Sequence, residues 1–274
     1  MKKIETVAMI GLGKMGAPMA GHLVRKGFTV AGFDPSAAAC AQAKALGARI
    51  AASCREAAAQ SELSIVVVGF DREVEAAIFG SEGIAAGARE GHIVAVCSTV
   101  APRYAVRLAK RLAERGIVAL DAPLARGEAA AIRGELLIFG AGEERAFDAC
   151  RPAFEAFAAP IHHLGAAGAG QVGKMVNNLI LWACTSANDE GLRLGQALGV
   201  EPERLRQALH DSSAQNWSMD QRAEDSGMPW AEKDMGIVLE EADHARLSLP
   251  LCGTLKETIK GLKIRMNLAM PESG

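Results

Sequence analysis

The chain has 274 residues, half of which are hydrophobic, with a formal net charge of −2 and six scattered cysteines. This length favours two domains, and the apolar content predicts buried cores and argues against disorder. The charge balance argues against nucleic-acid and membrane-surface partners, and the cysteine spacing argues against a metal site or a disulfide framework.

Up to residue 163, short apolar runs alternate with helical patterns. The runs are apolar on both faces, which is typical of parallel strands buried between helices. The segment 102–116, for example, has proline near its start and glycine at its end, as helices often do. Repeated units of this kind predict a doubly wound parallel sheet. The predicted strands are 6–11, 29–34, 64–70, 92–99, 116–123 and 135–142, and a further helix is predicted around 143–157.

The pattern changes near residue 163, and beyond it only helical periodicity remains. We therefore predict an α/β domain over residues 1–163, followed by an all-α domain over residues 164–274. The predicted helices of the second domain are 174–199, 201–212 and 233–247.

A glycine motif, GLGKMG, directly follows the first predicted strand and opens the first helix. Gly11 permits a tight turn, Gly13 lets a pyrophosphate approach the backbone, and Gly16 allows close packing of helix and strand. The helix N-terminus offers free N–H groups to the phosphates. The motif in this position predicts a Rossmann-type dinucleotide site. The cofactor-binding residues predicted in the first domain are Gly11, Leu12, Gly13, Met15, Gly16, Gly69 and Phe70.

Asp34 ends the second predicted strand. An acidic side chain there can accept hydrogen bonds from the adenosine ribose hydroxyls and would repel the 2′-phosphate of NADP. Asp34 therefore favours NAD over NADP. The alternative is a solvated turn residue before Pro35.

A lysine followed by two asparagines stands in the stretch GAGQVGKMVNN, residues 168–178. On a helix Lys174, Asn177 and Asn178 share one face. The glycines before them let another backbone or a ligand come close. Taken alone, the pattern also fits an exposed lysine with incidental asparagines.

Four blocks together carry a family resemblance: residues 11–20, 121–127, 168–178 and 233–242. In these blocks, and in their order, the chain resembles the β-hydroxyacid dehydrogenase family. That family includes 3-hydroxyisobutyrate dehydrogenase, tartronate semialdehyde reductase and the larger 6-phosphogluconate dehydrogenases.

The resemblance implies that Lys174 is the catalytic acid/base and that Asn177 and Asn178 position the substrate and the lysine. Oxidation of an alcohol needs a base for the hydroxyl proton, and the reverse reaction needs an acid for the forming alkoxide. A partly desolvated lysine can serve both directions, while the nicotinamide carries the hydride.

The resemblance further implies that Thr99 lies beside the nicotinamide and that Lys233 closes over the cofactor. The alternative for Lys233 is a surface residue near a helix start. Family members commonly form dimers or tetramers through the helical domain, so we expect a homo-oligomer. We expect no signal peptide, because the basic start leads directly into a strand, and no apolar run is long enough for a bilayer. These features predict a cytoplasmic protein.

The family's substrate-anion loop usually has Ser-Gly-Gly where this chain has Ala125, Arg126 and Gly127. Sulfolactaldehyde reductases of the family also carry an arginine in this loop. A guanidinium suits a carboxylate, a sulfonate or a phosphate. The alternative is an arginine that points to solvent and pairs with Glu128.

These observations predict an NAD-dependent oxidoreductase that interconverts a small anionic β-hydroxy acid and its semialdehyde or keto form. NADP is the less favoured cofactor. One alternative is an imine reductase, which would use NADPH and usually lacks this lysine. The other is a regulatory protein that binds a dinucleotide without catalysis.

Overall fold

The structure, a computed structural model, describes residues 3–220 and 228–269. It divides into two compact units, residues 1–174 and 175–274. The strands of the first unit are β1 (Thr6–Ile10), β2 (Thr29–Phe33), β3 (Arg49–Ile50), β4 (Leu63–Val66), β5 (Ile93–Val96), β6 (Val118–Asp121), β7 (Leu124–Ala125), β8 (Leu136–Gly142) and β9 (Ala158–His163). Its helices are α1 (Gly16–Arg25), α2 (Ala37–Ala45), α3 (Cys54–Ala59), α4 (Asp71–Phe79), α5 (Ile84–Gly87), α6 (Pro102–Ala113), α7 (Gly127–Arg133) and α8 (Glu144–Phe154).

The strands form one sheet in the order β3-β2-β1-β4-β5-β6-β8-β7, and β9 pairs with β8. From β3 to β6 all neighbours are parallel. Along β1, Val7 and Met9 pack in one apolar layer, whereas Ala8 and Ile10 pack in the other. Burial on both faces explains why these strands read as continuous apolar runs. The predicted doubly wound, Rossmann-type sheet is confirmed.

The sheet differs from the prediction at one end. There β8 runs antiparallel to both β6 and β7, and the strands β3, β7 and β9 were not predicted. Two of these, β3 and β7, have only two residues each, which is too short for a periodic signal. The third, β9, contains Pro160 and two histidines. Proline is confined to sheet edges because it cannot donate to the ladder, so such a sequence does not resemble a buried strand.

Helix α9 (Ala169–Ala197) begins in the first unit and continues into the second. The sequence predicted its start at residue 174. The preceding glycines were expected to let another backbone come close, and a Cβ on Gly170 would collide with the carbonyl oxygen of Phe139. Because α9 crosses the division between the units, the domain boundary near residue 163 stays a prediction.

All regular secondary structure of the second unit within residues 175–220 and 228–269 is helical. After α9 it contains α10 (Pro202–His210), a 3₁₀ turn (Trp217–Met219), α11 (Ala231–Ala245) and α12 (Pro250–Arg265). Helices α11 and α12 share an apolar core that includes Met235, Val238, Leu255 and Ile259. Within it Lys263 Nζ lies 2.9 Å from Glu232 Oε2. No helix among the described residues is long and apolar enough to cross a membrane.

Candidate active site

The glycine motif forms the turn between β1 and α1. Gly11 has a φ of +92°, a backbone conformation that other residues rarely adopt, and a Cβ there would collide with the carbonyl oxygen of Val67. A Cβ on Gly16 would collide with the carbonyl oxygen of Gly11. A Cβ on Gly13 would meet nothing within 4 Å. The fold therefore requires glycine at positions 11 and 16. Gly13 is exposed and leaves room for a ligand.

The N-terminal end of α1 suits an anion. Neither an acidic residue in the first turn nor a side-chain cap is present there in the described structure. The first amides of a helix lack intrahelical acceptors and stand at the positive end of its dipole. Leu12 is buried and Met15 partly buried at this turn. The arrangement fits a pyrophosphate group, as the sequence predicted.

Asp34 follows β2 and is tied to the glycine turn. Its Oδ2 accepts the N–H of Leu12 at 2.8 Å, and its Oδ1 accepts the N–H of Ser36 at 2.8 Å. The carboxylate is therefore fixed in orientation next to the turn. Each carboxylate oxygen has a further lone pair for a ribose hydroxyl.

The loop after β4 carries Gly69 and Phe70. Both backbone N–H groups donate to Oε2 of Glu73, at 2.8 and 3.1 Å. The Phe70 ring is partly exposed, with the guanidinium carbon of Arg72 at 5.1 Å from its centroid. Glu73 was not singled out from the sequence, although it is the third residue of the helix that follows.

Thr99 is partly buried in the loop after β5, and buried polar groups hold its neighbours. Ser98 Oγ accepts the N–H of Val68 at 2.8 Å. Gln171, in the first turn of α9, donates from Nε2 to the Ser98 carbonyl at 2.9 Å. Its Oε1 accepts the N–H of Val100 at 3.1 Å. Gln171 was not predicted as a site residue from the sequence.

Asp121 ends β6 and is buried against the start of α9. Its carboxylate accepts the N–H of Gly168 at 2.6 Å. Burial raises the pKa of Asp121, and the backbone amides of Gly168, Gln171 and Gly170 oppose that shift. In the sequence Asp121 lies within the predicted strand 116–123 and opens the block 121–127, but it was not predicted as a site residue.

Lys174 is partly buried on α9, and the two asparagines follow on the next turn. Asn177 Nδ2 donates to Asn178 Oδ1 at 3.0 Å, and Asn178 Nδ2 donates to Asp234 Oδ2 at 2.8 Å. Trp182 Nε1 also donates to this Asp234 oxygen, at 3.3 Å. Asn178 is buried with both ends of its amide engaged, whereas Asn177 is only partly buried.

Lys233 precedes Asp234 in the first turn of α11. Its Nζ lies 5.8 Å from the centroid of the Trp230 ring. The side chain is partly buried near the start of the helix.

Ala125, the last residue of β7, is buried. Arg126, between β7 and α7, has a φ of +83°. Arg126 Nη1 donates to the carbonyl oxygens of Glu135 and Ala159 at 3.1 and 3.0 Å. Arg126 is exposed, as the alternative interpretation expects. Glu128 contacts Lys14, whose Nζ lies 3.2 Å from a carboxylate oxygen of Glu128. The next residue, Gly127, also has a positive φ.

Both parts of the chain match known protein families. Residues 6–165 match the NAD-binding domain of 6-phosphogluconate dehydrogenase. Residues 168–267 match the family described as NAD-binding of NADP-dependent 3-hydroxyisobutyrate dehydrogenase.

Three relatives extend over nearly the whole chain. The NAD-dependent L-serine dehydrogenase of Pseudomonas aeruginosa is 33% identical over 97% of this chain and 94% of its own length. The 2-(hydroxymethyl)glutarate dehydrogenase of Eubacterium barkeri is 31% identical over 95% and 90%. The structure of Mycobacterium tuberculosis 3-hydroxyisobutyrate dehydrogenase with L-serine has a TM-score of 0.84 at 27% identity and covers 97% of this chain and 96% of that one. The chain belongs to the β-hydroxyacid dehydrogenase family of oxidoreductases.

Proposed function

We propose that this protein is an NAD-dependent dehydrogenase that interconverts a small anionic β-hydroxy acid and its semialdehyde or keto form. One observation carries the proposal: α9 sets Lys174 one turn before a hydrogen-bonded pair of asparagines, in a chain that also has a glycine turn for a dinucleotide. The relatives act on L-serine and related hydroxy acids by name, which supports this substrate class.

Several residues of the first unit would hold the cofactor. The backbone around Gly13 and the start of α1 would bind the pyrophosphate, and Asp34 would accept hydrogen bonds from the ribose hydroxyls. Gly69 and Phe70 would contact the cofactor after β4, and Thr99 would do so after β5. Lys233 is a further candidate cofactor contact. When bound, the nicotinamide supplies the hydride acceptor or donor.

The proton is assigned to Lys174. In the oxidative direction its neutral amine accepts the hydroxyl proton of the substrate at Nζ, which allows the carbonyl to form. In the reductive direction its ammonium returns that proton to the alkoxide oxygen. Asn177 is the amide of the pair that is accessible to substrate, and Asn178 holds it in orientation through their mutual hydrogen bond.

The segment 125–127 is proposed to bind the acidic group of the substrate. Two backbone carbonyls fix Arg126 Nη1, and the guanidinium still has donors on its other two nitrogens. A positioned guanidinium accommodates a planar carboxylate or the oxygens of a sulfonate or phosphate.

A substrate panel tests the proposal. Purified protein is assayed at 340 nm with L-serine, 3-hydroxyisobutyrate and 2-(hydroxymethyl)glutarate, with sulfonate and phosphate analogues, and with NAD or NADP. We expect turnover of at least one hydroxy acid and a preference for NAD. Cofactor binding without turnover of any compound would favour a non-catalytic protein, and reduction of a cyclic imine with NADPH would favour an imine reductase.

Two further features belong to the same proposal. We propose a homodimer or homotetramer, which light scattering after size-exclusion chromatography tests directly. We also propose a cytoplasmic location, which the six free cysteines of the described chain support. The division between the two functional domains is proposed near residue 163.

A further inference from the structure

The side chain of Gln171 forms hydrogen bonds with the loop after β5 on both sides of one residue, Thr99. Its Nε2 donates to the carbonyl of Ser98 at 2.9 Å, and its Oε1 accepts the N–H of Val100 at 3.1 Å. These two backbone groups flank Thr99. The amide side chain therefore pairs with the loop as a neighbouring strand would, and it fixes the backbone on both sides of Thr99.

The loop that Gln171 holds is connected to the preceding one. Ser98 Oγ accepts the N–H of Val68 at 2.8 Å, directly before Gly69 and Phe70. Two of the proposed cofactor contacts, Gly69 and Thr99, therefore lie next to backbone groups that this hydrogen-bond network holds.

The start of α9, which contains Gln171, is anchored as well. Asp121 accepts the N–H of Gly168 at 2.6 Å, directly before Ala169, so the end of β6 holds the start of the helix. Lys174 follows Gln171 by one helical turn. Because a helix is rigid over a single turn, an anchored first turn also fixes the Cα of Lys174.

We propose that Gln171 is a positioning residue, which holds Thr99 at a fixed distance from Lys174. This inference rests on the proposed function, because it concerns the residues assigned to hydride and proton transfer. Gln171 is 1% exposed, so it acts through its neighbours and does not touch the substrate. A displacement of reacting groups by about 1 Å can cost about 10²-fold in rate, which is why such an anchor matters.

The alternative is a buried amide that stabilises the fold alone. The two roles differ in what a substitution changes. A fold-only amide affects the free energy of unfolding and leaves the turnover of the remaining folded protein unchanged. A positioning amide slows the chemical step in protein that is fully folded.

The test uses two variants and a control in the full-length protein. Gln171→Met keeps the length of the side chain and removes both hydrogen bonds. Gln171→Glu keeps the acceptor for Val100 and sets a carboxylate oxygen against the Ser98 carbonyl. Val172→Ala, at the next position of α9, changes an exposed side chain and is the matched control.

We expect kcat to fall about tenfold or more in both Gln171 variants at a temperature where each is folded. The isotope effect with substrate deuterated at the hydroxyl-bearing carbon should rise, because hydride transfer becomes slower. The dissociation constant for NADH should change little. Amide hydrogen exchange of Val100 should accelerate in Gln171→Met and stay unchanged in Val172→Ala.

If the wild type turns over and the Gln171 variants have the same kcat and isotope effect as the wild type, the proposal is wrong. Unchanged hydrogen exchange at Val100 in Gln171→Met would also overturn it. The proposed function fails by a different result, namely the absence of turnover in the wild type. Hydrogen exchange at Val100 tests the Gln171 hydrogen bond whether or not the wild type turns over, because this measurement needs no substrate.

Discussion

Asn178 donates a hydrogen bond from Nδ2 to Oδ2 of Asp234 at 2.8 Å, and both side chains are buried. A buried donor facing a buried acceptor can be tested by exchanging them. Asn178→Asp should destabilise the protein by about 2 kcal/mol or more, because two buried carboxylates would then face each other. The double variant N178D/D234N restores a donor and an acceptor and should recover at least half of that loss.

Urea unfolding followed by tryptophan fluorescence measures both effects, with D234N alone completing the cycle. If the double variant is destabilised by the sum of the losses measured for N178D and D234N, the hydrogen bond does not contribute to stability.

Lys174 is the second prediction. Lys174→Ala should lower kcat by at least about 10²-fold, the usual scale of general acid–base catalysis, while NADH still binds. Lys174→Arg should be similarly impaired, since a guanidinium retains its proton at any working pH. Lys110→Ala, at an exposed position of α6, is the control and should keep full turnover. Near-normal turnover in Lys174→Ala would remove the catalytic assignment.

Asp34 has two roles that two substitutions separate. The wild type should prefer NAD, and Asp34→Ser should shift the preference towards NADP by relieving repulsion of the 2′-phosphate. Since Asp34 also accepts the N–H of Leu12, Asp34→Ser should weaken the binding of both cofactors. Asp34→Asn keeps an acceptor for that N–H and should shift the preference with a smaller loss of affinity. The measurement is kcat/KM for each cofactor, and a wild type that favours NADP would contradict the interpretation of Asp34.

The sequence predicted the parallel part of the sheet because its strands are buried on both faces, which leaves an unmistakable apolar run. It missed β9 because Pro160 and two histidines belong to an edge strand, where the side chains need not be apolar. It placed the start of α9 too late because glycine has a low helix propensity and several glycines precede Lys174. The sequence does not identify Phe139 as the residue against which these glycines pack.

The residues of the candidate site also differ in whether the sequence could identify them. Motif residues such as Gly11 and Lys174 are visible because their spacing is tied to a helix or a turn. Asp121, Gln171 and Asp234 act through hydrogen bonds to residues far away in the chain. No spacing rule predicts such partners from one sequence.

His92 makes the stability of the protein depend on pH. It is buried with Nε2 at 2.8 Å from Ser64 Oγ and Nδ1 at 3.2 Å from the Ser61 carbonyl. Burial lowers the pKa of His92 from 6.5 to about 4. The unfolded chain therefore binds a proton near pH 6.5 while the folded chain does not. The stabilisation is present above pH 6.5 and is lost as the pH falls towards 4, by up to about 3 kcal/mol.

The check is urea unfolding at a series of pH values from 7 to 4. His92→Gln should reduce the slope over this range, because glutamine has no proton to gain. His162→Gln, at an exposed histidine of β9, should leave the slope unchanged. An equal slope in wild type and His92→Gln would show that other groups cause the acid sensitivity.

Arg126 provides the last prediction, which concerns the acidic group of the substrate. Its Nη1 is held by two backbone carbonyls, so loss of the side chain affects the loop as well as any bound anion. Arg126→Ala should cost roughly 1.5–3 kcal/mol in transition-state binding of an anionic substrate, the usual value for a hydrogen bond to a charged group. An uncharged analogue should lose less, because it lacks the group that the guanidinium binds. The ratio of kcat/KM between the two substrates isolates this difference, whereas KM alone does not. Equal losses on both substrates would show that Arg126 acts only by holding the loop to the carbonyls of Glu135 and Ala159.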